Sequence, residues 1–574
     1  MSRIEPQKRK KVSMPLILIG LVVSILLVSS SLYFLLYPFP SEEKVTYFTE
    51  EHPIIYKGIT NGEAVVINSE VYLPLSFVHE NIDEGITYDE ASSSVILTTR
   101  NKVVQMPADA LSLFVNEQPV NLEIPATTLK NGEVFISYSA IQSYYPFEVT
   151  VLSETGAVLV RKDGDSFALG NVSLSENAHE KRLRKEPIMT APYTAEVSQG
   201  EIVTIEKEDS NFYFVRKQNG IAGFIQKKQV VMEGTETVIV KWEEDKRFSP
   251  SISWPINLTW EAVYTENPDT SKLPPLTGVN VVSPTWFKIK NEQGEIANLA
   301  SMEYVNWAKI QNLQIWGLFS NDFNPELTHT VLQSYETRMN MIRQILQYSQ
   351  MYQLNGINID FENVKTEDGK LVTQFVKELT PYLHQAGLTV SMDITFISES
   401  EMWSKFYERD QLAGIVDYMI VMAYDEHWGT SPKAGSVASF PWVESNLKNL
   451  LEVIPHDRLI LGLPTYTRIW KEQDTEGGNI EVSSKAYSMD YLKEWLVEHK
   501  LVPVFDEVSG QQYAEYRDEQ EKATYKVWIE DADSLSRRSQ LVHHYQLAGV
   551  GTWSRYFASN EAWGAIDESL KHRK

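Results

Sequence analysis

The stretch NGINIDFEN, Asn355 to Asn363, decides the fold. In it Asn358, Asp360 and Glu362 alternate with Ile357, Ile359 and Phe361. Alternation with a period of two is the pattern of a strand, whose successive side chains point to opposite faces. Three polar groups therefore share one face, and three bulky apolar groups share the other. On a free-standing sheet the polar face would meet solvent, but the flanking sequence predicts a different setting.

From about residue 237 onward, apolar runs alternate with amphipathic segments, the texture of parallel βα units. Candidate strands are Ile256–Tyr264, Val279–Pro284, Leu313–Phe319, Gly356–Glu362, Leu388–Thr395, Asp417–Asp425, Leu459–Tyr466 and Gly549–Arg555. Ser334–Gln353 and Lys370–Ala386 are the clearest amphipathic segments between them. Eight such repeats over roughly 330 residues predict a (β/α)₈ barrel. The gap between the seventh and eighth strands is long, and its VWIED, Val527–Asp531, reads as a strand. This predicts a small α+β insertion there, forming one wall of a cleft.

Barrel strands are buried on both faces. Ile357, Ile359 and Phe361 should then face the helices, while Asn358, Asp360 and Glu362 face the interior. Buried polar groups in an interior need partners or a purpose. Glu362 falls at the C-terminal end of its strand, where barrel active sites lie. Asp360 is two residues deeper, about 6.6 Å along the backbone. Two carboxyls that close can share a hydrogen bond and split their pKa values, leaving one protonated at neutral pH to serve as an acid. For a single inward carboxylate the competing reading is a structural ion pair.

The chain has 574 residues, enough for three or four domains. Charged residues make up 22% and hydrophobic residues 43%, a globular composition. Lys+Arg number 52 against 77 Asp+Glu, a net charge of -25, which argues against nucleic acid as a partner. There is no cysteine, so disulfides, thiolate metal sites and Cys nucleophiles are excluded. The histidines show no HExxH spacing, and His543-His544 reads as structural on a predicted helix. No metal or cofactor is expected.

The N-terminus carries KRKK, Lys8 to Lys11, followed by a charge-free run from Leu16 to Tyr37. At 1.5 Å per residue that run would span about 33 Å, enough for a bilayer core. Tyr33 and Tyr37 sit where an interfacial aromatic belt would lie. The alternative is a cleaved signal peptide, whose apolar region is shorter. The expectation is a cytoplasmic tail over 1–13, a transmembrane signal anchor over 14–38 and an extracytoplasmic remainder, with a single-pass cell-membrane location.

Residues 44–165 read as short strands with a weak internal repeat. EVYLPLSFV from Glu70 parallels EVFISYSAI from Glu133, and each precedes a strand pair, Ile86–Thr99 and Val149–Lys162. The segment resembles the stalk-like module related to the N-terminal domain of copper amine oxidases, which implies a spacer or wall-contact role without copper chemistry. Residues 178–233 hold short β runs with turns at Gln199-Gly200, Asn219-Gly220 and Gly223. They resemble a bacterial Src-homology-3-like domain, a small β-barrel whose usual implication is peptidoglycan or peptide binding; a spacer barrel is the alternative.

Residues 238–574 resemble the family 18 glycoside hydrolases. That family's fourth-strand motif, D-G-x-D-x-D-x-E, is met here by Asn355, Gly356, Asn358, Asp360 and Glu362. MAYD, Met422 to Asp425, ends the sixth predicted strand as it does in the family, and Trp553 matches the tryptophan that floors the sugar site. GINIDFENV and GLPTYTRIW are similar to the subgroup of spore cortex-lytic and wall N-acetylglucosaminidases. The resemblance implies retaining hydrolysis assisted by the substrate's own 2-acetamido group, with no protein nucleophile. By it, Glu362 is the acid and then the base, Asp360 accepts the acetamido N–H, Tyr424 donates to the acetamido oxygen, and Asp425 orients the sugar. Met422, Asn358 and Trp553 would line the substrate site. Arg468 and Trp286 are further cleft candidates, against a surface ion pair for Arg468 and wall packing for Trp286. The expected partner is a peptidoglycan or chitin-like glycan containing N-acetylglucosamine.

Asn355 and Asn358 depart from the family's acids at those positions. Asn358 can hydrogen bond but cannot ionise. Loss of that like charge is expected to leave Asp360 more readily ionised, so Asn358→Asp should move the pH–rate profile. The competing function, a catalytically silent glycan-binding barrel, calls for loss of the acid, yet Glu362, Asp360 and Tyr424 are all present.

Overall fold

The computed structural model describes residues 14–36, 39–173, 178–475 and 479–571. The expected cytoplasmic tail lies outside them. The chain forms two compact units, one built from 1–84 and 125–243, the other from 85–124 and 244–574.

The second unit contains the predicted barrel. Its eight strands are β1 (Ile256–Glu261), β2 (Val281–Pro284), β3 (Gln314–Ser320), β4 (Gly356–Asp360), β5 (Thr389–Ile394), β6 (Tyr418–Val421), β7 (Leu459–Pro464) and β8 (Gly549–Trp553). Each pairs in parallel with the next, and β8 pairs with β1 through Ile256↔Gly549, so the sheet closes on itself. Closure accounts for the continuous apolar character of these runs, because neither face of a strand meets water.

The alternation in β4 resolves as expected. Ile357, Ile359 and Phe361 belong to the outer core between sheet and helices, together with Val390, Met392 and Ile394 of β5. Phe361 stacks on Phe375 of the helix Gly369–Gln385 with ring centroids 5.8 Å apart and planes 5° from parallel. The bottom of the barrel interior is sealed by Leu258, Trp260, Val281, Trp316, Leu318, Ile420 and Ile460. The polar face of β4 thus sits above an apolar plug and below the open C-terminal rim.

Between β7 and β8 lies the predicted α+β insertion. Five antiparallel strands within 466–529 carry one helix, Met489–Glu498, on a small core of Ile469, Leu492, Trp495, Ala514, Val527 and Ile529. The hairpin pairs Arg468 opposite Ala486 and Trp470 opposite Ser484.

The internal repeat takes an unexpected form. Strand Glu70–Pro74 leads into helix Leu75–Asn81, and strand Glu133–Ser137 into helix Tyr138–Ile141. The two repeat strands pair antiparallel with each other, Ile136 opposite Leu73. Their trailing hairpins part company. Val149–Lys162 stays in the first unit, whereas Gly85–Ile124, including the Ile86–Thr99 hairpin, belongs to the unit that holds the barrel. Ile96 and Val103 join the apolar cluster of that unit, and Asp89 accepts the Tyr335 N–H at 2.7 Å. Repetition in sequence reports a shared local shape, and it is silent on which core each copy enters.

The 178–233 segment also differs from expectation. Its strands join Ser166–Val172 and Val230–Thr237 in a seven-stranded antiparallel sheet. Among the described residues no pairing joins its two edge strands, the expected SH3-like barrel is not shown, and the sheet runs beyond residues 178–233. The flanking strand Ser166–Val172 accounts for this: it pairs with both neighbours and carries the sheet past the expected boundary.

At the N-terminus, Met14–Leu36 is helical. Among the described residues no helix is long and apolar enough to cross a membrane. The expected transmembrane anchor over 14–38 reaches beyond the described residues, and the structure does not show it.

Candidate active site

Seven of the nine residues singled out from sequence, Asp360, Glu362, Met422, Tyr424, Asp425, Arg468 and Trp553, stand at or beyond the C-terminal ends of β4, β6, β7 and β8. The inward pair rises from β4. Asn358 is fully buried, while Asp360 and Glu362 above it are partly open to solvent. Met422, Tyr424 and Trp553 are likewise partly exposed, so the group faces the rim while its floor is closed.

The backbone that carries Glu362 is clamped. Asn321, buried just beyond β3, accepts the Glu362 N–H at 3.0 Å through Oδ1 and donates Nδ2 to the Glu362 carbonyl at 2.8 Å. Thr328 accepts the other Asn321 amide hydrogen at 2.9 Å. On the opposite side, Tyr407 donates its hydroxyl to the Phe361 carbonyl at 2.9 Å. Asn363 then leaves the strand with φ +53, a left-handed conformation that asparagine tolerates, and donates to the Phe323 carbonyl at 2.8 Å. The closing Asn of NGINIDFEN thereby frees Glu362 from continuing the strand. The opening one, Asn355, accepts the Ile315 N–H at 2.9 Å and registers β4 against β3.

Burial dominates the electrostatics. Desolvation pushes the Asp360 carboxyl up to about 7. Glu362 is raised well above the usual carboxylate range by burial, then by the charges of Asp360 and Asp425. Asp360 is therefore harder to ionise than the sequence suggested: Asn358 does remove a like charge from β4, but loss of water outweighs that relief. Asp360 Oδ1 is buried without a hydrogen-bond partner. An unpaired buried acceptor beside a carboxyl that holds its proton at neutral pH suits a ligand presenting an N–H to one and a basic oxygen to the other. The Tyr424 hydroxyl is pushed up by burial and by neighbouring acids, so it stays protonated as a donor.

The β6 end supplies the second wall. Met422 donates its N–H to the Ile394 carbonyl at 2.8 Å. Gly462 on β7 lies against it: a Cβ there would come 2.5 Å from the Val421 carbonyl and 3.3 Å from the Tyr424 ring. Only glycine lets β7 approach closely enough to brace Tyr424. Asp425, with φ +58, turns out of the strand and is exposed. Its Oδ1 accepts the Tyr466 hydroxyl at 2.6 Å and Arg468 at 3.1 Å. The predicted Arg468 and Asp425 are thus partners, with Arg468 delivered by the insertion hairpin.

Trp286 does not belong to the site. It is 1% exposed, donates Nε1 to Asn267 at 2.7 Å and packs edge-on against Tyr304, so the wall-packing alternative holds. Sequence reading missed Asn321, Tyr466 and, in the floor, Asp393 of β5, which accepts Asn358 Nδ2 at 2.8 Å. Asp393 stands inside LTVSMDIT at the inward parity, a signal that was legible but unused. Also missed were exposed aromatic side chains on loops that follow the strands: Tyr264, Phe323, Trp403, Trp428 and Tyr556. Phe323 and Trp403 lie 6.2 Å apart beside the Glu362 turn. Among the described residues no group of three or more acids and histidines is arranged to hold a metal ion.

Comparison with known proteins gives the family and the fold. The family model for glycosyl hydrolases family 18 matches residues 263–558, and that for the copper amine oxidase N-terminal domain matches 57–160. The uncharacterized glycosylase YvbX of Bacillus subtilis is 26% identical over 306 residues, 51% of this chain and 86% of the relative. The cortical fragment-lytic enzyme of Bacillus anthracis is 25% identical over 288 residues, 50% of this chain and 64% of the relative, less than two thirds of its length. The crystal structure of the spore cortex-lytic enzyme SleL of Bacillus megaterium shares the fold, with a TM-score of 0.50 at 18% identity, over 59% of this chain and 78% of that one.

Proposed function

Because the chain belongs to family 18 of the glycosyl hydrolases, we propose that it cleaves N-acetylglucosamine-containing glycans, of the peptidoglycan or chitin type, by a retaining mechanism assisted by the substrate. The observation that carries this reading is the stacking of Glu362 over Asp360 on the inward face of β4 at the open rim, with Glu362 held protonated by burial and by two acidic neighbours.

The chemistry follows from that placement. Glu362 donates its proton to the glycosidic oxygen as the bond from the anomeric carbon breaks. The 2-acetamido carbonyl oxygen bonds to that carbon from the other side, giving an oxazolinium ion. Asp360 Oδ1, the acceptor without a partner, takes the acetamido N–H and offsets the positive charge. Tyr424 donates to the acetamido oxygen. Water then attacks, giving its proton to Glu362, and the configuration is retained. Trp553 offers a flat apolar face to the pyranose ring, and Asp425, fixed by Tyr466 and Arg468, accepts from a sugar hydroxyl.

The test is mass spectrometry of products from purified peptidoglycan and from chitooligosaccharides, with the product anomer read by NMR. We expect retention, and Glu362→Gln should lose turnover by at least about 10²-fold while keeping the wild-type unfolding temperature. Inversion, or an active Glu362→Gln variant, would overturn the mechanism. Cell-wall glycan as the natural substrate draws support from the name of the Bacillus anthracis relative. An extracytoplasmic, membrane-tethered setting draws on Lys8 to Lys11 and the charge-free run behind it. Release of the protein into the soluble fraction at neutral pH would refute the tether.

A further inference from the structure

We propose that Asp393 of β5 is the proton-sharing partner of Asp360, a positioning residue that fills from the neighbouring strand the place where the family motif has an acid and this chain has Asn358. The inference rests on the proposed function above and extends it to a residue outside the fourth-strand motif.

Register carries the argument. β4 and β5 run parallel with Asn358 opposite Ser391 and Ile359 opposite Met392. Continuing that register by one residue brings Asp393 alongside Asp360, whose charge acts on it. Val390, Met392 and Ile394 point outward into the helix-facing core, so Ser391 and Asp393 point inward with Asn358 and Asp360. The Asn358 amide fixes the arrangement. Its Oδ1 accepts Trp260 Nε1 at 2.8 Å and the Ser283 hydroxyl at 3.1 Å, which leaves Nδ2 to reach Asp393 Oδ1 at 2.8 Å. The asparagine is thus a spacer with one polarity. It cannot take a proton from Asp360, and it holds Asp393 where a proton can be taken.

The groups facing Asp393 are Asp360 and Glu362 from β4, Tyr424 beyond β6, Tyr407 beyond β5, and the indole N–H of Trp260 from β1. No Lys or Arg is among them. Asp393 is 2% exposed, and burial together with the neighbouring acids pushes its carboxyl well above the usual range. Two adjacent buried carboxyls without a counter-cation do not both ionise, so the pair keeps one proton between them.

The step balances simply. As substrate enters, the O–H bond on Asp360 breaks and one forms on Asp393. The negative charge passes to Asp360, where the acetamido N–H and the developing cation are stabilised by it. The proton returns when product leaves. Without Asp393, Asp360 must lose its proton to solvent, so activity waits for its own ionisation.

Three variants of the full chain test this: Asp393→Asn, the swap Asn358→Asp with Asp393→Asn, and Glu362→Gln as the inactive control. For Asp393→Asn we expect the acid limb of the pH–kcat profile to move up by at least about one unit, with kcat near about pH 5 reduced at least about tenfold and KM within about threefold. The swap should move the limb back toward wild type. An unmoved limb, a loss uniform across pH with raised KM, or a swap no better than the single variant would overturn the proposal. Infrared titration of protonated carboxyls, read without substrate, separates this inference from the functional reading. The wild-type pair should lose its two protons in two separate steps, Asp393→Asn should leave a single step, and an unchanged titration would refute the pairing whether or not any glycan is cleaved.

Discussion

A carboxyl held protonated by burial makes the fold weaker as pH rises, opposite to the usual behaviour of Asp. Asp360 is raised from 3.8 to about 7. Between those values the folded chain keeps a proton that the unfolded chain has released, so stability falls with pH at about 1.4 kcal/mol per unit. About three units give a contribution on the order of 4 kcal/mol, fully present below about pH 4 and lost above about pH 7. Asp360→Asn removes this dependence with little change of shape. Relative to wild type, the variant should gain stability steadily as pH rises from about 4 to about 8, by about 2–4 kcal/mol since Asp393 shares the retained proton. The assay is urea unfolding of the full chain followed by tryptophan fluorescence at matched ionic strength across that range. A stability difference that stays flat with pH would refute the reasoning, because it would mean that Asp360 ionises in the fold as readily as in the unfolded chain. The same variant should lose activity, so stability and turnover are expected to move in opposite directions, as they do where a strained site serves chemistry.

Other changes probe the supports of the site. Tyr424→Phe should lower kcat by about 10²-fold with KM little altered, as expected for a donor whose bond strengthens in the transition state, checked by steady-state kinetics on a chitooligosaccharide. Asn321→Ala leaves the Glu362 N–H and carbonyl unpaired, which should cost about 1–3 kcal/mol of stability and reduce kcat about tenfold, read by thermal unfolding and turnover together. Gly462→Ala places a methyl 2.5 Å from the Val421 carbonyl; we expect a lower unfolding temperature and a kcat loss like that of Tyr424→Phe, and wild-type behaviour would mean that β7 does not brace the tyrosine.

The alternation in NGINIDFEN and the seven other apolar runs determined the closed barrel, because a strand buried on both faces has no other way to hold three polar groups at one period. The same local rule placed Glu362 at the rim, Asp360 below it and the insertion after the seventh strand. Arg468 and Asp425 were identified singly, and only the fold made them a pair, since a hairpin from the insertion brings Arg468 over the β6 end. Trp286 looked the same in sequence whether it lined the cleft or the wall; its neighbours Tyr304 and Asn267 come from separate segments. The repeat at Glu70 and Glu133 was legible, yet the division of its hairpins between two cores depended on Ile96 and Val103 meeting apolar residues far along the chain. Asp393 shows the division most clearly. Its parity within β5 is local and can be read from eight residues, but its standing beside Asp360 is a matter of register between strands. Register is set by the hydrogen bonds of the whole closed sheet, which no single strand's sequence contains.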